Sequence, residues 1–136
     1  MTEEQIALAR RAIACPKWRW MPGMRAVAVR PAPLEPVCSR VPDDPRGWTP
    51  YPGALPDLTD PATLGCVLAL VREAWDDECL CILPVDYGPG GVRWACRLTA
   101  TGTFCTGQFW PTEIGALVDA LEAGHKRGEH LREEEK

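Results

Sequence analysis

The seven cysteines are the residues of this chain with the most reactive side chains, and four of them lie on predicted strands. Cys79 and Cys81 form a CxC pair, with Cys96 and Cys105 further along. Four thiolates bind zinc only where they converge on one tetrahedral ion. Cys81 and Cys105 should lie two strands apart, separated by roughly 10 Å. We therefore expect no metal site, and instead free thiols that fill the core as small apolar side chains.

That separation depends on a strand register that two turns imply. A two-residue turn at Thr101-Gly102 places Trp94 opposite Phe109. A glycine turn closing Tyr87 onto Val92 places Leu83 opposite Cys96 and Cys81 opposite Leu98. The register places apolar side chains together on one face, namely Leu83, Val85, Trp94, Cys96, Leu98, Cys105 and Phe109. The opposite face then carries Ile82, Arg93, Ala95, Arg97, Thr106, Gln108 and Trp110.

Residues suited to catalysis are scattered along the chain. Both histidines, His125 and His130, follow the predicted last helix, where no rigid shell would hold a general base. Gly88-Pro-Gly-Gly91 joins two strands, whereas a phosphate cradle would open onto a helix. Paired carboxylates such as Asp43-Asp44 are expected to be solvated in loops. We expect no catalytic residues, no cofactor and no enzymatic activity.

Aromatic and arginine side chains are the better candidates, because such residues concentrate at binding hot spots. In the register above, Arg93 lies opposite Trp110 and Arg97 opposite Thr106. That face is a binding surface, a sheet face covered by the apolar stems of amphipathic side chains, or the surface on which the first helix packs. The tryptophans of "KWRWMPGM" are expected to hold the first helix on the sheet or on the proline-rich loop, and at most one of them is expected to contact a partner. The candidate partner-binding residues are Trp18, Trp20, Trp48, Tyr51, Arg93, Arg97 and Trp110.

Hydrophobic periodicity and capping residues predict the elements that position these groups. A helix is expected over residues 2–14 with Thr2 as its cap, followed by a short strand over 24–30. Asp60 and Pro61 mark the start of a second helix. Three strands then form a meander over 79–86, 92–99 and 103–110, and a last helix ends at Gly124.

Residues 31–61 contain nine of the fourteen prolines, so we expect a long loop without regular structure between the first strand and the second helix. Such loops are usually functional or flexible. The predicted fold class is α+β, an antiparallel sheet of three to four strands with helices packed on it. One domain should cover 1–124, with a charged flexible tail over 125–136.

Composition restricts the class of partner. The 136 residues carry a formal net charge of −4, which argues against a general nucleic-acid binder. No apolar run is long enough to cross a membrane. The acidic start of the chain is unlike an export signal, so we expect a cytoplasmic protein. A homodimer is permitted by exposed apolar residues at a sheet edge, although no pattern requires one.

Three segments carry a resemblance to known proteins: "LARRAIACPKWRWMPGM", "LPDLTDPATLGCVLALVREAW" and "TEIGALVDALEAG". In these segments the chain resembles small uncharacterised accessory proteins of tailed phages and prophages. Its C-terminal part is similar to the phage α/β/α-sandwich type of domain. The resemblance implies a phage context and the host cytoplasm. It supplies no catalytic residues to carry over, because the group has no agreed activity.

The order helix, three strands, helix is also similar to the double-stranded-RNA-binding domain. That family has a lysine cluster where this chain has Thr112-Glu113-Ile114, so RNA binding is not carried over. The expected function is inhibition of a host protein or complex, for example as an anti-CRISPR inhibitor of bacterial defence. The alternative is a module that binds or sequesters a small ligand or nucleotide.

Overall fold

The structure is a computed structural model that describes the backbone of residues 1–134 and the side chains of residues 1–128. The chain divides into two compact units. Unit 1 consists of residues 1–14 and 18–66, and unit 2 of residues 15–17 together with the chain from 67 onward. The prediction of one domain over 1–124 stays a prediction.

Unit 1 begins with helix α1 (Glu3–Ala14). The Thr2 hydroxyl accepts a hydrogen bond from the Gln5 N–H (3.1 Å), and the Gln5 amide oxygen accepts one from the Thr2 N–H (2.9 Å). This reciprocal capping box satisfies two donors that a helix N-terminus otherwise leaves exposed. Leu8, Ala9 and Ala12 form the buried stripe of α1. The predicted helix and its cap are confirmed.

A three-stranded antiparallel sheet completes unit 1. Its order is β2 (Val37–Arg40), β1 (Arg25–Ala28), β3 (Leu55–Pro56), so both outer strands come from the proline-rich segment. The expectation that 31–61 lacks regular structure is therefore wrong for these six residues. Proline is compatible with a strand at a sheet edge, where no ladder bond needs its missing N–H. Pro56 occupies such an edge, opposite Ala26.

Helix α2 (Pro61–Trp75) starts in unit 1 and continues into unit 2. Asp60 caps it by accepting a hydrogen bond from the Thr63 N–H (3.1 Å), and Pro61 is the first helical residue, as predicted. Val67, Leu70 and Val71 are fully buried. Most of this helix is apolar all round, as expected for a helix that is largely buried.

Unit 2 contains the hairpin of β4 (Cys81–Asp86) and β5 (Val92–Arg97), joined by a short turn at Gly88–Gly90. Ile82 lies opposite Cys96, and Leu83 opposite Ala95. The predicted register paired Leu83 with Cys96 and Cys81 with Leu98, so it is wrong by one residue. Side chains alternate along a strand, and this slip moves every β4 side chain to the other face.

The predicted third strand of the meander is not formed. Residues 103–110 meet β5 only at isolated bridges, Arg97 opposite Phe104 and Trp94 opposite Trp110. The Thr106 hydroxyl accepts a hydrogen bond from the Gln108 N–H and donates one to Asp119 (2.6 Å). This local turn interrupts the ladder, because side-chain bonds to the backbone compete with strand pairing. The predicted pairing of Trp94 with Phe109 is wrong for the same reason.

Helix α3 (Glu113–Glu134) extends ten residues beyond the predicted end at Gly124. Gly124 is buried inside the helix, where an added Cβ would come within 2.8 Å of Ala74 and 2.9 Å of the Trp75 ring. The glycine is explained by the close packing of α3 on α2, because it does not end the helix as predicted. Part of the predicted tail is thus helical. Residues 135–136, and the side chain of His130, lie outside the described residues.

The α+β class with antiparallel strands is confirmed. Three helices, a three-stranded sheet and a two-stranded sheet make up the described chain. Helix α1 packs against β3 in unit 1, and α3 packs against β4 and β5 in unit 2. Within the backbone described, no helix combines the length and the apolar character needed to cross a bilayer.

Candidate functional site

Three tryptophans form an aromatic cluster in unit 1. Trp20 meets Trp18 at 5.5 Å between ring centroids and Trp48 at 5.8 Å, both edge to face. Edge-to-face contacts of this kind add stability beyond the buried area. Trp20 and Trp48 also pack against a buried bed of small side chains, Ala26, Ala28 and Ala54. The contact of "KWRWMPGM" with the proline-rich segment, one of the two contacts predicted for it, is confirmed.

The members of this aromatic cluster are half-buried, and the indole N–H of Trp18 is buried without a hydrogen-bond partner among the described residues. Tyr51, in the same proline-rich segment, keeps 48% of its surface exposed. Trp20 and Trp48 therefore have a clear role in holding unit 1 together. Among the predicted partner-binding residues of unit 1, Tyr51 is therefore the one best placed to contact a partner.

The two faces of the β4–β5 hairpin differ in their surroundings. The Cys96 thiol donates to the Ala116 carbonyl (3.7 Å), so the face that carries Cys96 packs on α3. Trp110 lies on this packed face, since it pairs opposite Trp94, and its ring fits against Gly115 of α3. We call the opposite side the open face. Side-chain alternation assigns Arg93 and Arg97 to it.

Three aromatic side chains extend along the open face. The Phe109 ring contacts Tyr87 at 5.5 Å and Phe104 at 5.0 Å between centroids, and we call these three residues the aromatic row. Tyr87 is 50% exposed and Phe104 37% exposed. Ala95, whose side chain belongs to the same face of β5 as Arg93 and Arg97, is buried. Exposed aromatic side chains next to arginines have the composition of an interaction hot spot.

The structure thus divides the predicted partner-binding residues into two groups. Trp18, Trp20, Trp48 and Tyr51 lie in unit 1, whereas Arg93, Arg97 and Trp110 lie in unit 2. Arg93 and Arg97 share the open face as predicted, but Trp110 lies on the opposite side of the hairpin.

Sequence reasoning missed the aromatic row, because the wrong register assigned Phe109 to the inner face and left Tyr87 in a turn. No signal in the sequence identifies it, because the bridge that places Phe104 opposite Arg97 is a pairing that only the structure shows.

The thiols differ more in exposure than predicted. Cys15 and Cys96 are buried, but Cys38 and Cys79 are exposed, so the expectation of core thiols holds only for part of the set. Burial raises the pKa of Cys96 to about 12 and that of Cys105 to about 11. Thiols held protonated in this way are poor nucleophiles and poor metal ligands.

A cavity of about 580 Å³ in unit 2 is lined by the end of α2, two turns and α3. Arg127 lies over the Trp75 ring at 5.2 Å, a cation–π geometry. Asp77 accepts hydrogen bonds from the Thr99 N–H (2.8 Å) and hydroxyl and from the Cys79 N–H (3.1 Å), which ties the two turns together. These bonds, led by the Thr99 hydroxyl, lower the pKa of Asp77 below its ordinary value.

No group of three histidine, cysteine, aspartate or glutamate side chains within residues 1–128 is arranged to hold a metal ion. Comparison with known proteins gives no relative from which a role could be transferred: no family model, curated protein or solved structure matches the chain.

Proposed function

We propose that this protein binds a host protein or complex and blocks it, as an accessory protein encoded by a phage, and does so without catalysing a reaction. The observation that carries the proposal is the aromatic row beside Arg93 and Arg97 on the open face. Tyr87 and Phe104 offer large apolar area to solvent, and covering it on binding would be favourable at about 25 cal/mol per Å².

An inhibitor of bacterial defence, of the anti-CRISPR type, is one concrete form of this proposal. A blocking protein needs a rigid surface that excludes a natural partner, and it needs no reactive group. Two features support that reading. The open face is built on a hairpin fixed to α3, and the Cys96 and Cys105 thiols are held protonated. The phage context rests on the sequence resemblance alone.

Co-purification from bacterial host lysate tests the proposal. The full chain should capture a host protein at a fixed stoichiometry, identified by mass spectrometry. The double variant Tyr87→Ala/Phe104→Ala should lose that partner, because both side chains lie on the open face. Tyr51→Ala is the matched control, since it removes an exposed tyrosine from unit 1. Circular dichroism should show that all three proteins fold.

Two results would contradict the proposal. Repeated capture of no stoichiometric partner would remove the basis for a blocking protein. A partner lost with Tyr51→Ala and kept with the double variant would move the binding surface to the proline-rich segment. In that case the open face would have no part in the function.

A second candidate function, binding of a small ligand or nucleotide, is favoured by the cavity in unit 2. Its volume of about 580 Å³ suits a drug-sized molecule, and Trp75 and Arg127 offer a ring and a cation. Asp76, Asp77 and Glu78 line the same cavity, so a phosphate would meet more carboxylates than cations. A thermal-shift screen with nucleotides separates the two functions, because only a ligand-binding module should be stabilised.

A further inference from the structure

Arg93 and Arg97 form no ion pair with any described residue, which distinguishes them from the paired arginines of unit 1. There, Arg25 binds Asp57 at 2.6 Å, Arg40 binds Asp60 at 2.9 Å, and Arg46 binds Asp44 at 2.7 Å. The chain is acidic overall, with a formal net charge of −4, so carboxylates are plentiful elsewhere. Two uncompensated cations on one hairpin face are therefore a local feature of this surface.

The open face carries no acidic side chain among its described strand positions. Alternation gives it Cys81, Leu83 and Val85 from β4, together with the two arginines, Ala95 and the aromatic row. Asp86 belongs to the other face, because it pairs with Val92. The surface is thus cationic at two points and apolar between them. Complementary potentials of this kind select partners and speed their association.

The spacing of the arginines defines what could match them. They are four residues apart on one strand, so their Cα atoms are separated by about 13 Å at 3.3 Å per residue. Ala95 lies midway between them in the strand and is buried. An extended peptide with acidic residues at positions i and i+4 has the same spacing. An apolar side chain at i+2 would then meet the aromatic row.

The outer edge of β4 is unsuited to strand addition. Trp94 exchanges both of its backbone hydrogen bonds with Trp110, so its polar groups point away from β4. Pro84 lies opposite Trp94, and its backbone nitrogen therefore faces the free edge. Proline has no N–H to donate, which blocks pairing with an added strand at this position. A partner must use the open face and not the edge.

From these observations we propose that the open face recognises an acidic protein segment. The segment carries two carboxylates about 13 Å apart, one for Arg93 and one for Arg97, on either side of an apolar side chain that packs on the aromatic row. The proposal rests on the proposed function, whose partner it describes in chemical terms. Carboxylates pair with guanidinium groups in bidentate geometry, which adds specificity as well as attraction.

The test uses the full chain as bait in an mRNA-display selection from random dodecapeptides. Enriched peptides should carry aspartate or glutamate at i and i+4 and an apolar residue at i+2. Arg93→Glu/Arg97→Glu should weaken binding of the best peptide at least about tenfold, the effect expected for losing close charge pairs. Arg10→Glu on α1 is the control, because it reverses an exposed cation in unit 1.

A charge swap gives the sharpest readout. The same peptide with both acidic residues replaced by lysine should bind the double variant and not the unmodified chain, which a merely structural role of the arginines would not produce. If the change at half-buried Arg93 disturbs folding, the single variant Arg97→Glu is tested instead, because Arg97 is exposed and its replacement should leave the fold intact. Raising the salt concentration should weaken the native pair.

Other outcomes overturn the inference. Peptides without acidic residues that lose binding with Tyr87→Ala/Phe104→Ala would refute the acidic segment and leave protein binding intact. Peptides indifferent to both double variants, or no enrichment at all, would refute the open face as a binding surface as well. Tight, arginine-dependent binding of oligo(dT) in place of peptides would assign the face to single-stranded nucleic acid.

Discussion

The carboxylate of Asp60 both caps helix α2 and forms an ion pair with Arg40. It caps α2 through the Thr63 N–H and hydroxyl, and it binds both terminal nitrogens of Arg40 at 2.9 and 3.1 Å. The Arg40 guanidinium, and to a lesser extent the Thr63 bonds, lower the pKa of Asp60 from 3.8 to about 2. Folding is therefore favoured by the charged form of this side chain.

Replacing Asp60 should separate the two tasks. Asp60→Ala loses both the cap and the ion pair, so we expect the free energy of unfolding to fall by about 1–2 kcal/mol. Asp60→Asn keeps a good cap and should cost less, since an ion pair with a half-exposed arginine is worth about 0–1 kcal/mol. Urea denaturation at neutral pH measures both values.

The contribution of Asp60 should depend on pH with a defined sign. Its pKa is lower in the folded chain than in the unfolded chain, so its stabilisation is complete above about pH 4 and is lost as the pH falls toward 2. The difference in unfolding free energy between the native protein and Asp60→Asn should shrink over that interval. A difference that stays constant from pH 6 to pH 2 would refute the charged role.

Asp76 occupies a backbone conformation that usually belongs to glycine. Its φ is +52°, and its N–H bonds the Glu73 carbonyl while the Asp77 N–H bonds the Arg72 carbonyl, which is the pattern of a Schellman cap. Asp76→Gly should raise the unfolding free energy by about 0.5 kcal/mol, and Asp76→Ala should lower it by about 1 kcal/mol. Thermal melts that rank alanine above glycine would contradict this account of the cap.

At the scale of elements, local signals located helices well and strand partners poorly. The capping residues Thr2 and Asp60 predict the starts of α1 and α2 from the sequence, because each capping hydrogen bond joins residues only three positions apart. The register of β4 and β5 depends on the turn between them, and one residue more in that turn exchanges the faces. The aromatic row was missed for this reason.

Helix α3 offers a matched pair of glycines. Gly124→Ala should destabilise the protein by about 1–3 kcal/mol, because the new methyl would overlap Ala74 and the Trp75 ring. Gly128→Ala, in the same helix, meets nothing within 4 Å and should stabilise it by up to about 1 kcal/mol through helix propensity. Calorimetry on both variants measures the effects. Equal shifts for the two would refute the close packing of α3 on α2.

At the scale of the whole molecule, the alkylation rates of the seven free thiols measure how well each part of the interior is protected from solvent. Alkylation of the native chain at pH 8 should modify the exposed Cys38 and Cys79 first. Cys96 should react at least about a hundredfold more slowly than in the unfolded chain, because it is buried and its raised pKa leaves little thiolate. Peptide mapping by mass spectrometry follows each site, with denatured protein as the control. Early labelling of Cys96 would contradict the packing of β5 on α3.

The sequence alone determined the α+β class, the two helix starts and the clip formed by the tryptophans of "KWRWMPGM". The helix starts depend on capping interactions within a few residues. The class and the clip follow from the hydrophobic pattern, which shows which side chains must be buried without showing their partners. It also identified Arg93 and Arg97 as sharing one side of a strand, because alternation within a strand needs no partner.

Only the tertiary structure decided which residues accompany those arginines. The pairing of Trp110 with Trp94 and the burial of Gly124 arise from contacts between segments that are separate in the sequence. Such contacts are chosen by the total packing of the chain, and no single segment encodes them. For that reason Trp110 lies against α3, while Tyr87, Phe104 and Phe109 lie beside the arginines.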